Sequence, residues 1–238
     1  MSDQKAKNVT AVLVHAAWFD GSSWNKVASQ LQKKGFKVVA AQIPLTSFSD
    51  DVAAVRRILK RQSSPVVLVG HSYGGAVITA AGTGDPNVKA LVYIAAIVPD
   101  EGETVGEVFQ RVAPHPKAPQ LQPDEDGFLW LEADAFGNAV MHQASPAEIA
   151  LTAAVQKPIA LQCLGEAMGK PAWKEKSSWF LVAEDDRMVS PATQQFLAKR
   201  MGAKTVSSPV DHAPLVSEPE TVVKVIVEAA ASSSAAAA

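Results

Sequence analysis

The sequence predicts an α/β fold: a mostly parallel sheet flanked by helices on both faces. Three observations carry it. Short apolar strand-like runs alternate with stretches of helical period along most of the chain. One of those runs, residues 65–69 (PVVLV), is apolar throughout rather than at every second position, as a strand buried on both faces is. That run leads into Gly70-His71-Ser72-Tyr73-Gly74-Gly75 and then into a helix-compatible segment at 76–81. A strand, a sharp glycine-flanked turn with serine at its apex and a helix form a strand–turn–helix of the G-x-S-x-G type, around which the rest of the chain can be arranged.

Taken in order, residues 9–14 give the first strand. A helix over 22–34 follows, with Trp24, Val27, Ala28 and Leu31 at helical spacing and Gly35 as its stop. Residues 37–41 give the second strand. The second helix, 49–61, buries Val52, Val55, Ile58 and Leu59; Asp50 and Asp51 stand at its start and Arg56, Arg57, Lys60 and Arg61 near its end, which suits the helix dipole. The turn at Ser72 needs glycine at 70 and 74, where a Cβ would crowd strand against helix. Residues 88–94 give the fourth strand. Regularity then breaks: 99–173 holds six prolines before Pro158, several acidic clusters and no clear strand. An excursion of that length is expected to be a cap inserted after the fourth strand, with 1–98 and 174–231 as the core. Strand pattern resumes at 178–183. Ser190-Pro191 starts a helix that stops at Gly202, 204–207 give a short strand, and Ser217 with Glu220 reads as a capping box for a last helix over 218–231. The tail 232–238 is low in complexity and set aside.

The 238 residues suit one large domain, and 47% hydrophobic against 19% charged residues supply a core and exclude a disordered chain. A net charge of −2 with interspersed signs gives no footprint for nucleic acid or an anionic membrane. No apolar run reaches membrane-spanning length. The first ten residues lack the apolar stretch of a secretory signal, so the expected location is the cytoplasm. The single cysteine, Cys163, forms no internal disulfide. A homo-oligomer is compatible with the sequence, which carries no signal for or against one.

A serine hydroxyl needs a base to take its proton and a group to orient that base. With Ser72 as nucleophile, the chain order serine, acid, histidine leaves His212 as base, on the loop before the last helix; His15 and His71 precede or adjoin the serine, and His115 and His142 lie in the excursion. For the acid, Glu184, Asp185 and Asp186 follow the strand at 178–183. Asp186 is chosen because a short loop there can aim it at His212; Asp100, beyond the fourth strand, is the fallback. The oxyanion of a tetrahedral intermediate needs preset donors. The N–H of Tyr73 and that of Ala17, on the loop His15-Ala16-Ala17-Trp18, are assigned that role. Trp18 and the Tyr73 ring are expected to wall the pocket, and Ala16 to shape it. Within the excursion, Phe128, Leu129, Trp130, Leu131, Phe136 and Trp173 could line a substrate pocket or pack the cap; Phe128, Trp130 and Trp173 are taken as binding residues.

These residues, with VLVHAAWFDGSSW, VVLVGHSYGGAVI, LVYIAAIVPDEGE, LVAEDDRMVSP and DHAPLVSEPE, make the sequence resemble the α/β-hydrolase superfamily from about Val9 to Glu228. It is most similar to small bacterial esterase-like hydrolases, and more distantly to plant methylesterases and hydroxynitrile lyases. The resemblance implies the α/β-hydrolase fold, the triad Ser72, Asp186 and His212, a helical cap and a mechanism with no cofactor or metal. Where the family usually has His-Gly, this chain has His15-Ala16, and Ala213 stands where lyases similar to the rubber-tree type carry lysine. Both departures weigh against cyanohydrin cleavage. The reading is therefore a carboxylesterase acting on a small to medium ester. The alternatives are a lyase or other proton-transfer enzyme on the same triad, and a non-catalytic small-molecule binder.

Overall fold

The computed structural model describes residues 9–235. Its organising element is a sheet of six parallel strands: β1 (Thr10–Val14), β2 (Lys37–Ala41), β3 (Val66–His71), β4 (Val88–Ile94), β7 (Ser177–Ala183) and β8 (Lys204–Ser208), in the order β2-β1-β3-β4-β7-β8. Every residue of β1 and β3 is buried, as their unbroken apolar runs require of strands covered on both faces. Edge strands β2 and β8 are more polar and more exposed.

The chain winds outward from β1 through α1 (Asn25–Lys33) to β2, then returns through α2 (Phe48–Leu59) to β3 on the other side of β1. Strand order thus reverses between β1 and β3. The loops leaving their C-terminal ends diverge there and open a crevice, the usual ligand position in a sheet of this kind. From β3 the chain turns at Ser72 directly into α3 (Tyr73–Ala81).

Between β4 and β7 lie α4 (Val105–Phe109), β5 (Phe128–Leu129), α5 (Ala133–Ala135), a π-helical turn at Phe136–Val140, α6 (Pro146–Ala154), β6 (Ile159–Ala160) and α7 (Gln162–Gly165). Two of these helices begin with a full capping box, Thr104 with Glu107 and Ser145 with Glu148, which explains helices in so proline-rich a stretch. Where no strand was expected, β5 and β6 form a two-residue antiparallel pair. After β7 come α8 (Pro191–Arg200), β8, α9 (Pro214–Ser217) and α10 (Pro219–Ala235).

Other expectations are corrected in detail. The first helix is split: Gly21–Trp24 is a 3-10 turn capped by the Asp20 carboxylate, and α1 starts only at Asn25. Ser217 forms no capping box with Glu220. It ends α9, and its hydroxyl donates to Asp211 Oδ1 at 2.8 Å instead. Ser190 occupies the N-cap of α8 without a side-chain cap bond. The terminal helix runs on to Ala235 rather than ending near 231; residues 1–8 and 236–238 fall outside the described part. Among the described residues no helix is long and apolar enough to cross a membrane.

The core continues on both faces of the sheet, with Phe180 of β7 fully buried and stacked on Tyr93 of β4 at 6.0 Å between ring centroids. Phe180→Ala should cost about 3–5 kcal/mol of stability through lost transfer energy and the cavity left behind. Equilibrium urea denaturation measures this, and an unchanged midpoint would contradict the packing.

Candidate active site

Ser72 sits at φ +51° and ψ −120°, a left-handed backbone that a residue with a Cβ rarely adopts. Three backbone bonds hold it there: Ser72 N donates to Ile94 O at 3.0 Å, while Ser72 O accepts from Gly75 N at 2.9 Å and Ile97 N at 3.1 Å. The flanking glycines are required by space. A Cβ on Gly70 would lie 2.4 Å from Gly74 O, and one on Gly74 would lie 2.7 Å from both His15 O and Val14 O. Helix α3 can therefore start against the end of β1 only because position 74 has no side chain. Trp18, Leu45, Ser72 and Ala95 also share a positive φ, and each lies just past the C-terminal end of one of the first four strands. Backbone strain is concentrated along that edge.

Two loops bring the partners. After β8, His212 points its Nε2 at Ser72 Oγ, 2.9 Å away. After β7, Asp186 places Oδ2 2.7 Å from His212 Nδ1. The carboxylate can only accept, so Nδ1 carries the hydrogen and Nε2 is left to accept from the serine hydroxyl. Asp186 is itself fixed: Oδ1 accepts from Met188 N at 2.7 Å and Val189 N at 2.9 Å, and Oδ2 accepts from Gln194 Nε2 at 2.7 Å. All three side chains of the Ser72–His212–Asp186 chain are buried. Chemically, such a relay lets the imidazole take the hydroxyl proton while the carboxylate holds its tautomer.

The other acids go elsewhere. Asp185 receives His142 Nε2 at 3.0 Å, Glu184 is exposed, and Asp100 pairs with Lys174 at 2.5 Å. A small apolar cavity opens at Ser72, lined also by Ala17, Trp18, Tyr73 and His212, by Val105, Phe109, Leu121, Ile159 and Leu164 from the 99–173 segment, and by Ile97, Met188 and Val189. Tyr73 is the first residue of α3, so its N–H has no partner within the helix. Trp18 is fixed by its indole N–H, which donates to Leu129 O at 2.9 Å. Ala16, expected to shape the pocket, is buried and does not line this cavity.

Phe128, Trp130 and Trp173 are not brought to this cavity. Phe128, paired with Ala160 in the small antiparallel ladder, is partly buried and packs against the core. Trp130 is half exposed and donates to Asp124 Oδ2 at 2.9 Å. Trp173 lies under the Lys174 and Arg200 side chains and donates to Pro99 O at 3.4 Å. Leu129, Leu131 and Phe136 are core residues. Sequence reasoning also missed Gln194 and Asp51. Asp51 stands one turn before Val55 and two before Leu59, and that spacing was the signal that it faces inward.

Two further histidines are buried without joining the relay. His71 Nε2 donates to the His212 carbonyl at 2.7 Å, and burial followed by the neighbouring His212 holds its pKa well below 6.5. His15 accepts from Ile43 N at Nε2, donates to Ala16 O at Nδ1, and is pushed down to about 4, chiefly by burial. Burial thus favours the neutral form of both.

Residues 11–225 match the family described as "Alpha/beta hydrolase family". An alpha/beta hydrolase of Aspergillus novofumigatus is 28% identical over 92% of this chain and 95% of its own length. A carbendazim hydrolyzing esterase of a Nocardioides strain is 32% identical over 43% of this chain and 48% of that protein. The crystal structure of polyneuridine aldehyde esterase superposes with a TM-score of 0.81, covering 93% of this chain and 98% of that one at 19% identity, a likeness of fold.

A pH dependence follows from the two neutral histidines. Unfolded, they bind protons below about 6.5; folded, His15 does so only near 4. Their contribution is full above 6.5 and lost as pH falls toward 4. Asp51, raised to about 6 by burial, acts in the opposite sense over part of that window, but one carboxyl stands against two imidazoles. Urea midpoints should therefore be lower at about pH 4.5 than at pH 7; a higher midpoint in acid would contradict the buried neutral state.

Proposed function

The chain belongs to the alpha/beta hydrolase family, and from that premise we propose that it is a serine hydrolase cleaving small to medium carboxylic esters through an acyl-enzyme on Ser72. The observation that carries the reading is the unbroken relay from Ser72 Oγ through His212 to Asp186, at 2.9 Å and 2.7 Å. Ser72 Oγ attacks the ester carbonyl carbon while His212 Nε2 takes its proton. Asp186 stabilises the imidazolium that results. The developing oxyanion rests on the N–H groups of Tyr73 and Ala17. Collapse breaks the bond to the alkoxy oxygen, which leaves with the proton from His212. Water then adds to the acyl carbon, giving its proton to His212, and the acid departs as Ser72 regains its hydrogen.

Substrate character follows from the cavity. Apart from Ser72 and His212, its lining is aliphatic and aromatic, with no charged side chain. An anionic acyl or alcohol group would lose its hydration there with nothing to replace it. In this reading the 99–173 segment acts as the cap and sets chain length through Val105, Phe109, Leu121, Ile159 and Leu164. The partial likeness to a protein named as an esterase supports the same class of bond.

Ser72→Ala should abolish turnover of p-nitrophenyl butyrate while the thermal midpoint stays near that of the parent chain. Wild-type turnover in that variant would exclude the mechanism. With the parent chain, kcat/KM for the butyrate should exceed that for the p-nitrophenyl hemisuccinate by about tenfold or more, since the hemisuccinate buries an unpaired carboxylate. Equal values would refute the apolar pocket as the acyl site.

A further inference from the structure

We propose that Asp51 is a positioning residue for this hydrolysis: its carboxylate pins the Tyr73 phenol, and through it the first N–H of α3, which receives the oxyanion. The inference rests on the reading of Ser72 as nucleophile given above.

Asp51 is fully buried on the inward face of α2, with Val52 and Val55 beside it. A carboxylate there must be compensated by donors. Tyr73 Oη donates to Oδ2 at 2.6 Å, a short charge-assisted bond, and Leu45 N donates to Oδ1 at 2.7 Å. Cys163 Sγ approaches Oδ2 at 3.7 Å. The remaining titratable groups around it are Lys157, whose Nζ donates to Ile43 O at 2.5 Å, and Glu166, which accepts from Phe48 N and Ser49 N. None of Ser72, His212 or Asp186 touches Asp51, so the relay gives no reason for it.

Tyr73 supplies the reason. It follows Ser72 in the chain, it lines the cavity, and the Phe48 ring meets its ring edge to face at 6.5 Å. Fixing the hydroxyl at the far end of that ring leaves residue 73 little freedom to rotate. Its backbone N–H is then preset, and a preset donor needs no reorganisation when charge develops.

Stability alone would not place an acid there. Burial pushes the Asp51 carboxyl up to about 6, against an ordinary 3.8. A carboxyl raised in the fold favours the protonated form, so stability falls as pH rises from 3.8 to about 6 and stays lower above it. An uncharged side chain of the same shape would be the more stable choice at neutral pH. A residue that reduces stability while gripping the neighbour of the nucleophile fits the trade between stability and function. Below about 6 a proton on Oδ2 competes with the Tyr73 hydroxyl, and the grip loosens.

The test is steady-state kinetics on p-nitrophenyl acetate from about pH 5 to 9 for Asp51→Asn, Tyr73→Phe and the double variant, with thermal midpoints at pH 8. Both single variants should lower kcat at pH 8 by about tenfold, part of the roughly 100–1000-fold that a lost oxyanion donor costs, with KM within about twofold. The double variant should be no slower than the slower single one, since both remove one bond. Asp51→Asn should melt at or above the parent midpoint, and the acid limb of its kcat profile should lose the ionisation near 6. An unchanged kcat, or a kcat that falls only in step with a lowered midpoint, overturns the proposal. Should Asp51→Asn fail to fold, Tyr73→Phe, which removes a single hydroxyl, decides by the same kcat criterion. Ser72→Ala in the same assay separates the failures. Residual turnover there removes the nucleophile and this proposal with it, whereas an inert Ser72→Ala beside an unaffected Asp51→Asn removes the positioning role alone.

Discussion

The turn at Ser72 is the constraint on which the rest of the site depends. A serine with φ +51° is costly in isolation, on the order of 1–3 kcal/mol, and persists only where its surroundings over-determine it. Here they do so from three sides. Ile94 of β4 accepts its N–H, Gly75 and Ile97 donate to its carbonyl, and the missing side chain of Gly74 lets α3 close onto β1. The sheet beneath is buried throughout β1 and β3, which supplies the rigidity. The strain fixes direction: the hydroxyl stands at the crevice where strand order reverses, beside the open N–H groups that begin α3.

The remaining parts converge on that point from separate loops, each held by its own bonds. Gln194 ties the Asp186 loop to β7, since its Oε1 accepts from Ala183 N at 2.9 Å while its Nε2 donates to Asp186 Oδ2. His71 props the His212 backbone from beneath. Asp211 accepts from Ala213 N, the Ser217 hydroxyl and Gln143 N, so the His212 loop is fastened to the 99–173 segment as well as to α9. His142 and Gln143 reach Asp185 in the same way. Asp185 and Asp211, the chain neighbours of Asp186 and His212, thus hold the segment that lines the cavity.

Much of this was legible in the sequence because the signals were local. Apolar runs marked the parallel strands, and the glycines around Ser72 marked a turn that only they can form. The chain order of serine, acid and histidine separated Asp186 and His212 from their neighbours. What was illegible depended on contacts between distant segments. Trp130 and Trp173 looked like pocket residues by composition, but each has an indole N–H partner outside the cavity, at Asp124 and Pro99. Ser217 and Glu220 have capping-box spacing, yet Asp211 captures the hydroxyl first. The small ladder between β5 and β6 joins segments of two residues each, too short for any periodicity. Asp51 is read from the sequence only as matching the dipole at the start of the second helix, although its helical spacing already puts it on the buried face.

The central claim is that Ser72, activated by His212, carries the acyl group. Mass spectrometry of the tryptic peptide spanning 62–89 tests this directly, after the parent chain has been mixed with excess p-nitrophenyl acetate and quenched in acid during turnover. The account predicts an acetyl increment on that peptide, localised by fragmentation to Ser72 rather than Ser63 or Ser64, and absent from Ser72→Ala. An unmodified peptide from a chain that nevertheless liberates p-nitrophenol, or an acetyl group on another residue, would contradict it.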